Sequence, residues 1–141
     1  MRAEFDKPHV KDTVFRALSK ERLGDAECLH TAGRFQGAIY LCGYALECEL
    51  KYCVCVRKRM RRMEVSKARE YGHGLAELLD ATGMAHSLYE KDDRRVAFQN
   101  IISTWSTEIR YSGRLISKKE SEGFLKDSRF LWQWLEMESR P

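Results

Sequence analysis

Proline is almost missing from this chain: Pro8 and Pro141 stand near its two ends, so nothing between them forbids long continuous helices. No uninterrupted apolar run reaches the length of about eighteen residues that a membrane-spanning helix needs. The N-terminal MRAEFDKPHV also lacks the apolar stretch of a secretion signal, so a soluble, cytoplasmic protein without a membrane partner is expected. The five cysteines, Cys28, Cys42, Cys48, Cys53 and Cys55, are odd in number and form no Cys-x-x-Cys pair, which favours reduced, buried thiols over disulfides or a redox site. His9, His30, His73 and His86 are scattered and show no ligand spacing, so neither a metal nor a cofactor is expected. Strand-like alternation, internal repeats and Gly-rich phosphate loops are absent as well. The sequence is left with one all-α domain spanning 1–141, long enough to bury a core without staples.

What is present is organised around GRFQGAIYLCGYALECELKYCVCVRKRMRR, from Gly33 to Arg62, which reads as one long helix ending in a burst of positive charge. At 100° per residue, Phe35, Ile39, Cys42, Leu46, Leu50 and Cys53 share a stripe, the usual core face. The opposite side carries Gly37, Tyr40, Gly43, Tyr44, Glu47, Cys48, Lys51 and Cys55, a mixture suited to a second buried contact rather than to water. Gly37 and Gly43 would let another helix approach closely. Gly37, Tyr40, Gly43 and Tyr44 are therefore the expected interface of a homodimer.

The flanking segments give further helices. Asp12 or Thr13 can cap a first helix with Phe15, Leu18, Arg22, Leu23, Ala26 and Leu29 on one face, and Gly33 is placed to stop it. Residues 1–11 form an N-terminal extension, and residues 57–72 a basic, turn-like connection. A short helix from Leu75 to Ala81 should end at Gly83. A fourth should start at Asp92 or Asp93, carry Val96, Ile101, Ile102, Trp105 and Ile109, and end near Ser112 and Gly113. Ser117 and Glu120 have the spacing of a capping box for a fifth helix, whose inward face is Phe124, Leu125, Ser128, Leu131, Trp132 and Leu135. The expected architecture is an antiparallel up-and-down bundle of about five helices.

Charge is unevenly spread. The whole chain carries +4, yet between Lys51 and Arg69 eight cations, namely Lys51, Arg57, Lys58, Arg59, Arg61, Arg62, Lys67 and Arg69, face Glu64 alone. Such a block attracts phosphate in a nucleotide or nucleic acid; its blander reading is a solvated helix end, where cations also suit the helix dipole. Arg57, Lys58, Arg59, Arg61 and Arg62 form the expected basic patch.

The run GRFQGAIYLCGYALECELKYC, with RLGDAECLHTA before it, resembles the opening helix pair of the HEPN family, the higher eukaryotes and prokaryotes nucleotide-binding domain. The family's small and aromatic residues followed by Ala-Leu-Glu-x-x-Leu-Lys are matched by Ala45, Leu46, Glu47, Leu50 and Lys51. Its His-x-Leu-x-x-Leu helix opening is matched by His73, Leu75 and Leu78, and its late Arg-Tyr by Arg110 and Tyr111. The resemblance implies a helical bundle in which Lys51, His73, Arg110 and Tyr111 bind a nucleotide or phosphate. It also implies partnership with a minimal nucleotidyltransferase in a toxin-antitoxin or defence system.

Many family members are metal-independent ribonucleases in which that Arg is followed, after four to six residues, by a His that moves the proton. Here YSGRLISKKES follows Arg110 and contains no His. A non-catalytic module is the first expectation. The alternative is a divergent ribonuclease using Arg110, His73 and Arg114. Lys51 also stands four residues after Glu47, the spacing of an intrahelical ion pair.

Overall fold

The computed structural model describes residues 8–71, 74–105, 109 and 113–140. In chain order they form β1 (His9–Lys11), α1 (Asp12–Thr31), α2 (Phe35–Arg57), β2 (Arg62–Glu64), α3 (Val65–Tyr71), α4 (Leu75–Thr82), α5 (Ala85–Tyr89), α6 (Asp92–Thr104) and α7 (Lys118–Glu138). The architecture is a mostly helical bundle in which α2 packs against α1, α7 and α4, while α6 packs on α7. The described residues contain seven helices rather than five, and a two-stranded ribbon where no strand was expected.

α2 is buried on both sides. Ile39, Cys42, Leu46, Leu50 and Cys53 line its first face, and Gly43, Glu47, Cys48, Lys51 and Cys55 are buried on the second. Burial pushes the thiols of Cys42 and Cys53 up to about 12 and those of Cys48 and Cys55 up to about 11, so they act as small apolar side chains. Gly33, at φ 78°, ends α1: its N–H bonds the His30 carbonyl and that of Arg34 bonds Leu29, the six-to-one and five-to-two pattern of a Schellman cap. Gly83, at φ 73°, closes α4 in the same left-handed region.

The small residues of α2 contact this same chain. A Cβ on Gly43 would collide with the indole of Trp105, and one on Gly37 would press on Leu29 of α1. The dimer interface expected at Gly37, Tyr40, Gly43 and Tyr44 thus loses its main support. Trp105 lies over the helix, its Nε1 donating to the Tyr40 carbonyl at 3.1 Å and its ring stacked on Tyr40 at 6.5 Å. Tyr44 is half-buried, and its hydroxyl is pushed up to about 12 chiefly by burial.

Trp105 also sets the end of α6. It leaves α6 in an extended conformation, φ −87° and ψ 114°, so α6 stops at Thr104 instead of running on to Gly113. Val96 and Ile102, expected inside, are exposed, while Ala97, Phe98 and Ile101 make the inward face.

α7 follows its sequence closely. Ser117 Oγ accepts from the Glu120 amide at 3.1 Å and Glu120 Oε1 accepts from the Ser117 amide at 3.3 Å, a complete capping box. Arg114, exposed, adds an ion pair to Glu120 at 2.9 Å, which with the Ser117 amide holds that carboxyl below its usual range. Replacing Ser117 by Ala should cost about 1 kcal/mol in urea denaturation; an unchanged midpoint would show the cap to be dispensable. The expected inward residues Phe124, Leu125, Ser128, Leu131, Trp132 and Leu135 are all buried.

Candidate phosphate-binding surface

The basic segment folds back on the N-terminus. β1 and β2 pair antiparallel with Val10 opposite Met63, Lys11 opposite Arg62 and His9 opposite Glu64. Two flanking bonds extend the ribbon, from the Asp12 amide to the Arg61 carbonyl at 2.8 Å and from the Val65 amide to the Pro8 carbonyl at 3.0 Å. Alternation along β2 buries Met63 in the core and turns Arg62 outward, so apolar burial fixes which side faces water. The expected connection over 57–72 is therefore not a loop: it contains β2 and α3.

The turn between α2 and β2 is a second Schellman cap. The Met60 amide bonds the Cys55 carbonyl at 2.7 Å and the Arg59 amide bonds Val56 at 3.1 Å, with half-buried Met60 folded back against the core. This geometry puts Arg59 at φ 56°, the one described non-glycine residue with positive φ. A side chain there costs about 1 kcal/mol relative to glycine. The five residues of the expected basic patch then divide. Arg57 donates from Nε to the Thr82 carbonyl at 3.2 Å, tying α2 to the C-terminal end of α4. Lys58, Arg59, Arg61 and Arg62 are exposed and make no ion pair among the described residues, and Lys11 joins them across the ribbon.

Lys51 is absent from this surface. It is 8 % exposed, with Nζ 2.9 Å from Glu47 Oε2, itself buried. Neutralised inside α2, it is no open phosphate grip. His73, Arg110 and Tyr111 lie outside the described residues, so of the Lys51–His73–Arg110–Tyr111 set only Lys51 is located. Of the alternative Arg110–His73–Arg114 set only Arg114 is located, and it is paired with Glu120.

A groove of about 490 Å³ between α1 and α7 offers another concave surface, but Glu27 and Glu122 balance Lys126 and Arg129 there, and Arg129 is paired with Glu27. Its two acidic and two basic side chains leave it without the excess of positive charge that would favour an anion. Among the described residues no cluster of His, Cys, Asp or Glu is arranged to hold a metal ion, and no helix is long and apolar enough to cross a membrane. Comparison with protein-family models, curated proteins and solved structures gave no match.

Proposed function

We propose that this chain is a HEPN-like, non-catalytic module that binds RNA through its phosphate backbone, using Lys11, Lys58, Arg59, Arg61 and Arg62. The observation that carries the reading is Arg59. It holds a left-handed cap position that glycine would fill at lower cost, and its guanidinium makes no ion pair in the described fold. Backbone strain retained under a solvent-facing cation points to a role outside folding.

The spread of the cations supports a polymer over a mononucleotide. They occupy both strands of the ribbon and the turn before it, and several separated cations suit several successive phosphates. The HEPN reading rests on the sequence marks of α2 and on a mostly helical bundle. The same reading includes homodimerisation and a nucleotidyltransferase partner; Gly37 and Gly43 give the dimer no support, since they pack against Leu29 and Trp105 of the same chain.

The test is incubation of the pure protein with end-labelled RNA across a salt series, reading retardation and cleavage from the same gels. Retardation that weakens steeply with salt, without cleavage, is expected. Cleavage that co-purifies with the protein and is lost in Arg110→Ala would replace this reading with the ribonuclease. Salt-insensitive binding, or none, would leave the basic surface as a solvated helix end.

A further inference from the structure

A buried ionic cluster joins α1, α2 and α7 at the end of the bundle where α1 begins and α7 ends. Glu49, on α2, is fully buried with Oε1 2.7 Å from Arg16 Nη2 of α1. The approach is close but badly aligned: neither Glu49 oxygen nor Arg16 Nε has a satisfactory hydrogen bond. The same guanidinium lies over the Tyr52 ring at 4.2 Å and near the Trp132 ring at 5.9 Å. It reaches the end of α7 twice, from Nη2 to Ser139 Oγ at 3.3 Å and from Nη1 to Glu136 Oε1 at 3.9 Å. Trp132 Nε1 in turn donates to Ser19 Oγ. Two carboxylates, one fully buried and one partly exposed, thus draw on one guanidinium.

We propose that the Arg16–Glu49–Glu136 cluster is a proton-operated clasp: protonated Glu49 lets Arg16 hold the C-terminal end of α7, and loss of that proton loosens it. Ionised Glu49 would pull the guanidinium away from Ser139 and Glu136. It would also repel Glu136, and a charged carboxylate in so buried a position would draw water in between α1 and α7.

Charged and titratable groups around Glu49 come from all three helices. Arg16 faces it from α1 and Glu136 from α7, the latter also 3.6 Å from Arg140, while Cys53 lies one turn on along α2. Burial raises the Glu49 carboxyl to about 7, against the lowering effect of Arg16 and Ser19 and with a smaller upward push from Glu136. A raised carboxyl contributes most below the pKa of the open state, near ~4.3, and its contribution is lost as pH rises to about 7.

Backbone hydrogen exchange along α7, corrected for intrinsic rates and compared between pH 5 and 8.5, tests the clasp. Protection over residues 131–138 should fall roughly tenfold or more relative to the middle of α2 between pH 5 and about 7, and level off above that. Glu49→Gln should make that ratio flat with pH. Glu136→Gln, a change at a partly exposed site that should leave the fold intact, should move the midpoint to lower pH. A flat ratio in the unaltered protein, an unchanged slope in Glu49→Gln, or an unmoved midpoint in Glu136→Gln would overturn the proposal.

Discussion

Replacing Gly43 by Ala should destabilise this protein by about 2 to 3 kcal/mol, although the same change in an ordinary helix interior gains about 1 kcal/mol. The reversal follows from Trp105. Its indole occupies the space a Cβ at position 43 would need, is almost wholly buried, and is pinned by the bond from Nε1 to the Tyr40 carbonyl. Moving the ring would break that bond and shift the extended residue that ends α6. Urea denaturation of Gly43→Ala, Trp105→Leu and the double variant would measure the coupling directly. The double variant should be less destabilised than the two single changes added together, because a smaller side chain makes room for the methyl group. A Gly43→Ala protein at least as stable as the parent would show that the contact does not govern this face of α2.

The same contact explains which parts of the fold could be read from the sequence. Local signals were legible: the capping box at Ser117 and Glu120, the stripe along α7, and the stops at Gly33 and Gly83 all depend on residues a few positions apart. The second buried face of α2 was legible as a face, but its occupant was not. Gly37 and Gly43 announce close approach, whereas only the folded chain shows that Leu29 and Trp105 make it. Helical periodicity through Ile109 gave no sign that Trp105 would leave α6 to reach Gly43, because a helix stripe and a cap that turns inward use the same apolar residues.

The ribbon was hidden for a different reason. β1 and β2 are three residues each and are separated in sequence by the whole α1–α2 hairpin, so their pairing is set by burial of Met63 and Val10 rather than by strand propensity. In the candidate site, composition alone disclosed the basic run. That Arg57 is tied to Thr82, that Lys51 is neutralised by Glu47, and that Arg59 sits in a left-handed cap are tertiary facts that residue counting does not contain.

Those facts define the sharpest test of the surface. In a variant carrying Lys58→Gln, Arg59→Gly, Arg61→Gln and Arg62→Gln, RNA affinity should fall on the order of a hundredfold at low salt. The slope of log affinity against log salt should become shallower by about 3, since each lost phosphate contact on a single strand accounts for about 0.7. Stability should not fall with it: glycine suits φ 56° better than arginine, and the other three side chains are exposed without ion pairs. Neutralising Lys67 and Arg69 on α3 is the control for net charge. Lys67 is already engaged with Glu70 at 3.3 Å, so a smaller loss is expected there. Because the first variant removes four charges and the control two, equal losses per charge removed would mean that bulk charge draws RNA to this protein; a loss confined to the first would locate the contact at the cap of α2 and the ribbon beside it.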